Sequence, residues 1–133
     1  MKKKIDCALL IDDDKVSNYI SEKFLREANV TSQIIIASNG ENALRYIESC
    51  PSEGHPYPEL IFLDINMPVM DAFDFLDLYR SIYHNNKGII IVLTSSSNPK
   101  DKEKLARFGI ADYINKPLTS EKISKVMEKH FGW

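Results

Sequence analysis

The sequence reads LIFLD over residues 60–64 and IIIVLT over residues 89–94, two nearly unbroken apolar runs that each end in a polar residue. Runs this short and this continuous are typical of strands buried on both faces of a parallel sheet. Because helices must then cover both faces of that sheet, these runs predict strands that alternate with helices along the chain.

Three further apolar runs extend the pattern to five strands, each followed by a helical segment. The predicted strands cover Ile5–Ile11, Gln33–Ala37, Leu60–Leu63, Gly88–Leu93 and Ala111–Ile114. This alternation predicts an α/β fold, a doubly wound sheet of five parallel strands. With right-handed crossovers we expect the flavodoxin-like (βα)5 strand order 2-1-3-4-5.

The predicted helices have less sharp boundaries than the strands. The first three cover about residues 15–27, 40–49 and 71–83. The fourth begins at Asn98-Pro99, and the fifth begins with Thr119 or Ser120 as its cap. The first helix has Val16, Tyr19, Ile20, Phe24 and Leu25 near helical spacing. Residues 50–59 contain three prolines and a glycine, and we expect them to form a stiff, solvated connector between the second helix and the third strand.

Polar residues stand at the ends of four predicted strands. They are Asp12 and Asp13 after the first strand, Asp64 after the third, Thr94 after the fourth and Lys116 after the fifth. In the predicted order these ends share one edge of the sheet, so the side chains converge. Three clustered carboxylates repel each other unless a cation joins them, and hard cations such as Mg²⁺ take oxygen ligands. Since a lysine and a hydroxyl can hold phosphate oxygens, the set predicts a site where a carboxylate accepts a phosphoryl group.

The composition indicates an ordinary globular protein. A chain of 133 residues suits one domain, and 44% apolar with 27% charged residues is typical of a soluble one. The net charge of -2 gives no basic surface for direct nucleic-acid binding, and no apolar run suggests membrane insertion. Cys7 and Cys50 lack metal-ligand spacing. They fit a reducing cytoplasm better than a disulfide framework, and Cys7 is expected to be a small buried residue.

Four short motifs stand in order along the chain: LLIDDD at 9–14, LIFLDINMPVMDAF at 60–73, IIIVLTSSS at 89–97 and ADYINKPL at 111–118. They resemble the receiver domain of bacterial response regulators, whose stand-alone type is the chemotaxis regulator. The match covers nearly the whole chain. The sequence departs from the family pattern at Ala72, where glycine is usual, and at Ile110, where alanine is usual.

The resemblance implies a role for each residue of the site. It implies that Asp64 is the phosphoacceptor and that Lys116 binds the phosphate. For the metal, it implies that Asp13 binds Mg²⁺ or Mn²⁺ directly, that Asp12 acts mainly through water and that Asn66 offers its backbone carbonyl. It also implies that Thr94 and Tyr113 form the switch and that Asn66 and Ser96 tune loss of the phosphoryl group. It also implies a cis peptide bond between Lys116 and Pro117.

The resemblance further implies a place in two-component phosphorelay signal transduction. A sensor histidine kinase or a histidine phosphotransfer protein donates the phosphoryl group to Asp64, and an unknown output protein responds to the change on helix four, strand five and helix five. The domain catalyses only its own phosphorylation and dephosphorylation, so it is not an enzyme in the usual sense. We expect residues 1–133 to form a stand-alone regulator without an output domain. It stays open whether the chain is a domain excised from a longer protein and whether it forms a homodimer through the same face.

Three other function classes compete with this interpretation. A phosphatase of the haloacid-dehalogenase type also uses a strand-end aspartate and Mg²⁺, but it carries a second acid two residues later, where this chain has Asn66. A flavodoxin needs a phosphate-binding loop after the first strand, whereas this chain has three acids there. A pure binding module that docks constitutively would not need the complete set of site residues.

Overall fold

The computed structural model of the chain describes residues 3–65, 72–82, 88–95 and 99–133. Five strands alternate with five helices. The elements are β1 (Ile5–Ile11), α1 (Lys15–Ala28), β2 (Thr31–Ala37), α2 (Gly40–Glu53), β3 (Leu60–Asp64), α3 (Ala72–Ile82), β4 (Ile89–Thr94), α4 (Pro99–Ala106), β5 (Asp112–Asn115) and α5 (Ser120–Phe131). The alternation predicted from the sequence is therefore confirmed.

The strands form one parallel sheet in the order β2-β1-β3-β4-β5, as predicted. The register places the carboxyl ends of the central strands level with one another. Ile11 of β1 pairs with Ala37 of β2 and with Leu63 of β3. The residues that follow these partners therefore emerge at the same edge of the sheet.

Helices cover both faces of the sheet and make two cores, because successive strand residues point to opposite faces. One core joins Leu9, Ile11, Ile61, Leu63 and Val92 to residues of α2 and α3 such as Leu44, Ile47, Phe75 and Leu76. The other joins Leu10, Phe62, Ile91 and Leu93 to residues of α1 and α5 such as Leu25, Ile123, Val126 and Met127. The central strands are buried on both sides, which explains their unbroken apolar runs.

The second helix extends beyond its predicted end and includes residues that we expected in a solvated connector. It continues to Glu53, with Pro51 inside its last turn, and Gly54 ends it in the left-handed conformation at φ 71°. Cys50 continues the buried face of Ile47 and is 1% exposed. A proline in the last turn removes only one backbone donor, so burial of Cys50 outweighs the turn-forming composition.

The apolar spacing that predicted α1 coincides with its buried face only in the second half of the helix, where Leu25 is buried and Phe24 packs against the core. Val16 and Tyr19 are 67% and 71% exposed, while Asn18 and Ser21 are buried beside Leu25. Asn18 turns inward because its side-chain amide donates to the backbone oxygen of Asp12 at 2.8 Å. This hydrogen bond to the strand end accounts for the buried position of a polar residue in this helix.

The other boundaries differ from the predicted ones by one or two residues. β2 begins at Thr31, β4 covers Ile89–Thr94 and β5 covers Asp112–Asn115. Thr119 is confirmed as the cap of α5, since its hydroxyl accepts from the Lys122 backbone N–H at 3.3 Å. Asn98 and the predicted ends of α3 at residues 71 and 83 lie outside the described residues.

Both cysteines are buried and unpaired. The Cys7 sulfur lies 3.8 Å from the Tyr46 hydroxyl, and the Cys50 thiol donates to the Tyr46 carbonyl at 3.3 Å. Burial raises the pKa of both thiols, which makes them poor nucleophiles. Of the helices in the described ranges, none combines the length and the apolar character that a membrane span requires.

Candidate functional site

Three carboxylates meet where β1 and β3 end. Asp12 and Asp13 follow β1, and Asp64 is the last residue of β3. Because Ile11 pairs with Leu63, the residues that follow them lie side by side. One carboxylate oxygen of each aspartate lies within 4.8 Å of the others. The structure therefore brings together the three acids that the sequence predicted at one edge.

The three acids differ in their exposure to solvent. Asp12 and Asp64 are each 5% exposed, whereas Asp13 is exposed. Burying a carboxylate is costly unless a cation or hydrogen-bond donors compensate it. Two of the acids therefore need partners inside the protein, and the third faces water.

Lys116 supplies the positive charge that the buried acids need. Its ammonium lies 2.7 Å from Asp12 Oδ2 and 3.7 Å from Asp64 Oδ1. Its backbone N–H donates to the carbonyl of Thr94 at 2.8 Å, just beyond the end of β5. The side chain of Lys116 is 18% exposed, so the interaction is partly screened from solvent. The Lys116 ammonium is thus positioned to contact an anion that binds beside Asp64.

Asp12 is held by hydrogen bonds from three directions. Its Oδ1 accepts from the Asp14 backbone N–H at 2.9 Å, its carbonyl accepts from the Asn18 amide at 2.8 Å, and its own N–H donates to the Ala37 carbonyl at 3.1 Å. The sequence interpretation did not identify Asn18. Neither its residue type nor its spacing marked the contact, because the bond runs from a helix side chain to a backbone carbonyl.

The third consecutive acid has a different task from its neighbours. Asp14 is the cap of α1, and its side chain accepts from the backbone N–H groups of Val16 and Ser17 at 2.9 and 3.4 Å. An aspartate is a preferred residue at this position because it satisfies donors that the helix leaves unpaired. The helix-cap explanation for the acidic run thus holds for Asp14, while Asp12 and Asp13 belong to the carboxylate cluster.

The two predicted switch residues lie on adjacent strands and on the same face of the sheet. Thr94 ends β4 and is fully buried, while Tyr113 of β5 pairs with Val92 and is half-buried. Thr94 stands two residues after Val92, so both strands direct these side chains to one side. The Lys102 ammonium lies 5.4 Å from the centre of the Tyr113 ring. Asn66 and Ser96 lie outside the described residues.

The donor set fits a hard divalent cation. At formal charges, three carboxylates and one lysine leave an excess of negative charge that a divalent ion would neutralise. Their oxygens are the ligand type that Mg²⁺ and Mn²⁺ prefer. Asp13 is exposed, so the cluster is open to solvent on its side. The peptide bond between Lys116 and Pro117 is cis, as the resemblance implied.

A family comparison identifies the class that this fold and site define. The model of the "Response regulator receiver domain" family matches residues 8–128. The chain belongs to this family, which confirms the resemblance inferred from the four motifs. Membership also excludes the haloacid-dehalogenase and flavodoxin interpretations.

Two relatives carry the same domain within longer proteins. The chain is 28% identical over 130 residues to "Probable C4-dicarboxylate response regulator DctR" of Priestia megaterium, with 98% of the chain and 54% of the relative covered. It is 30% identical over 141 residues to "Hybrid signal transduction histidine kinase B" of Dictyostelium discoideum, with 97% of the chain and 7% of the relative covered. The chain thus spans about half of the first relative and a small part of the second.

A solved structure of a two-component response regulator from Cytophaga hutchinsonii has the same fold. It superposes with a TM-score of 0.87 at 30% sequence identity, covering 98% of this chain and 100% of that one. The protein is therefore a two-component receiver domain, and phosphoryl transfer to an aspartate is the function of its family.

Proposed function

We propose that Asp64 is the phosphoacceptor of this receiver and that Lys116 and the Asp12–Asp13 pair assist the transfer. The observation that carries the proposal is the position of Asp64. It is nearly buried at the end of β3, its Oδ1 lies 3.7 Å from the Lys116 ammonium, and it shares a 4.8 Å cluster with the two other acids.

The proposed reaction replaces a P–N bond by a P–O bond. A carboxylate oxygen of Asp64 attacks the phosphorus of a phosphohistidine on a donor protein. The P–N bond breaks, its electron pair returns to the imidazole, and Asp64 becomes an acyl phosphate. A carboxylate is a ready nucleophile at neutral pH and needs no general base. The main barrier is then repulsion between two anions and their alignment.

The residues around Asp64 lower that barrier by holding charge in fixed positions. Lys116 already lies beside the acceptor oxygen, so its ammonium can bind an oxygen of the incoming phosphoryl group without rearrangement of the backbone. Asp12 and Asp13, with Asp64, would hold the divalent ion, which supplies charge neutralisation and orientation of the phosphoryl oxygens when bound. This assignment makes the domain the catalyst of its own phosphorylation.

We propose that a switch links the acyl phosphate to the surface formed by α4, β5 and α5. The Thr94 hydroxyl turns toward a phosphoryl oxygen, and Tyr113 moves inward into the space that this leaves. Both states exist in the unmodified protein, and phosphorylation shifts their populations. A partner then distinguishes the two states at this surface.

The donor in this proposal is a sensor histidine kinase or a histidine phosphotransfer protein. Matching domains occur in response regulators and in a hybrid histidine kinase, which supports a partner of that chemistry. The output protein, the cytoplasmic location and dimerisation stay predictions from the sequence.

The test is the intact mass of the protein after incubation with acetyl phosphate, a small phosphoryl donor, with and without Mg²⁺. We expect a gain of one phosphoryl group that requires Mg²⁺ and is abolished in Asp64→Asn. Asp77→Asn removes an exposed carboxylate from α3 and serves as the matched control, with labelling equal to that of the wild type.

Wild-type labelling in Asp64→Asn would contradict the assignment of the acceptor. Labelling that is equal in the presence of Mg²⁺ and of a metal chelator would contradict the metal role of the acidic cluster. If the wild type gains no mass from acetyl phosphate or from a phosphohistidine donor, constitutive docking becomes the better explanation of the domain.

A further inference from the structure

Lys122 joins the two carbonyl groups on either side of Lys116. Its ammonium donates to the Asn115 carbonyl at 2.7 Å and to the Pro117 carbonyl at 2.9 Å. The acceptors belong to the residues directly before and after Lys116. We propose that Lys122 is a positioning residue that fixes this backbone and thereby places the Lys116 ammonium in the carboxylate cluster. The inference rests on the proposed function of that cluster.

The segment that carries Lys116 lies where the chain leaves the sheet. Asn115 is the last residue of β5, a strand of four residues at the edge of the sheet. Lys116 still donates from its backbone to Thr94 at 2.8 Å, but Pro117 has no N–H to donate. Asn115 and Pro117 are both exposed. A side chain that binds both carbonyls therefore adds two backbone contacts at the point where the chain leaves the sheet.

The position of Lys122 in its helix is unfavourable for a cation unless it has such partners. Thr119 caps α5 and Ser120 is its first residue, so Lys122 lies in the first turn. The positive end of the helix dipole disfavours lysine at this position. The two carbonyl oxygens, at 2.7 and 2.9 Å, offset that repulsion and use two of the three ammonium donors.

Catalytic sites tolerate only small displacements of their side chains, so the position of Lys116 should affect the rate. Lys116 lies 2.7 Å from one carboxylate oxygen and 3.7 Å from another. A displacement of about 1 Å can slow catalysis roughly 100-fold, and groups in a site are usually held within about 0.5 Å. Because Lys122 acts on Lys116 only through the backbone, we expect about a tenfold effect on the rate.

The experiment compares the rate of Asp64 labelling from acetyl phosphate and Mg²⁺ in three variants. Lys122→Met keeps the apolar stem and removes the ammonium, and we expect labelling about tenfold slower than in the wild type. Lys122→Arg keeps donors for two carbonyls and should restore the rate to within about threefold. Lys125→Met is the matched control, because this exposed lysine of α5 pairs with Glu121 at 3.5 Å; its rate should equal that of the wild type.

A second readout reports the position of Lys116 directly. In the wild type, the Lys116 ammonium should give a protected nitrogen-15 NMR signal, identified by its loss in Lys116→Met. We expect that signal to broaden in Lys122→Met and to persist in Lys125→Met. If Lys122→Met does not fold, Lys122→Gln, which keeps an uncharged donor, is measured in the same way.

An unchanged labelling rate in Lys122→Met would overturn the inference, and so would a slower rate with an intact Lys116 signal. Absence of wild-type labelling from both acetyl phosphate and a phosphohistidine donor would instead contradict the proposed function. In that case the Lys116 signal still reports whether Lys122 places this side chain, so the two failures are distinguishable.

Discussion

Asp13 differs from the other two clustered acids because it is exposed to solvent. An exposed carboxylate stays accessible to a cation while Asp12 is already engaged by Lys116 at 2.7 Å. Asp13 is therefore the acid whose removal should affect metal binding most directly. The next carboxylate in the chain, Asp14, caps α1 and takes no part in the cluster.

We predict that Asp13→Asn weakens Mg²⁺ binding at least tenfold. A ligand that binds only the folded state stabilises it by about 2.7 kcal/mol at 100 times its Kd, and a tenfold loss of affinity removes about 1.4 kcal/mol of that gain. The measurement is thermal unfolding across a Mg²⁺ titration. Asp14→Asn is the control, since asparagine caps helices as well as aspartate does. Equal Mg²⁺ stabilisation in wild type and Asp13→Asn would contradict the metal role of Asp13.

Residue identity explains which parts of the site could be predicted from the sequence. Acids, a hydroxyl and a lysine at strand ends indicate the cluster because parallel strands present their carboxyl ends at one edge. Asn18 and Lys122 could not be identified in that way. Their contacts are hydrogen bonds from a helix to backbone carbonyls, and neither the residue type nor its spacing marks such a bond.

At the scale of elements, β5 and α5 are joined by an ionic contact away from the carboxylate cluster. Asp112 of β5 lies 3.3 Å from the Lys129 ammonium and 3.5 Å from His130 Nε2. Partial burial acts to raise the pKa of Asp112, but the Tyr113 backbone N–H, Lys129 and His130 together lower it below its usual range. The charged form of Asp112 is therefore favoured in the folded state.

We predict that this contact stabilises the protein fully above about pH 4 and progressively less below it. Because the folded pKa of Asp112 is lowered, its contribution is complete above the usual aspartate pKa of about 3.9 and is lost as the pH falls through the folded value. Asp112→Asn should reduce the free energy of unfolding by roughly 0.5–1 kcal/mol at pH 7. The deficit should shrink as the pH falls below about 4, as measured by urea unfolding at pH 7 and at a series of acidic pH values.

The control for Asp112 is Glu121→Gln in the first turn of α5. Glu121 pairs with Lys125, and both side chains are highly exposed, at 81% and 74%, so we expect the deficit to be small at every pH. An Asp112→Asn deficit that persists undiminished at acidic pH would show that the contact does not depend on the charge of Asp112.

Strands β3 and β4 show where prediction of elements from the sequence succeeds, and helix α1 shows where it fails. The unbroken apolar runs of β3 and β4 predicted buried strands correctly, because both faces of these strands lie inside the protein. In α1 the apolar residues Val16 and Tyr19 are exposed instead. The buried face there includes Asn18, whose amide donates to the Asp12 carbonyl, and apolar periodicity does not predict a buried polar residue.

At the scale of the whole molecule, the sheet separates two cores and carries the site at the carboxyl ends of its strands. Thr94 is fully buried at the end of β4, on the side of the sheet that Tyr113 also faces. Such a position allows a change at Asp64 to reach β5 through neighbouring side chains. We expect the response to be a shift between closely related states that leaves both cores packed.

We predict that Thr94→Ala separates labelling from the conformational response. Acetyl phosphate and Mg²⁺ should label the variant at a rate within about threefold of the wild type, because Asp64 and Lys116 are intact. Chemical-shift changes in α4, β5 and α5 should fall by at least about half, since the hydroxyl that couples the two regions is lost. Thr94→Ser keeps the hydroxyl and should respond like the wild type. Full shift changes in Thr94→Ala would contradict the switch role.

The most direct measurement of the central claim locates the phosphoryl group on the chain. Protein labelled by acetyl phosphate in the presence of Mg²⁺ is treated with borohydride, which reduces an acyl phosphate to an alcohol and so converts the modified aspartate to homoserine. Peptide mass spectrometry then identifies the position. We predict homoserine at position 64 and none in the sample without Mg²⁺. Homoserine at another acid of the cluster, or at none, would contradict the assignment of Asp64 as the phosphoacceptor.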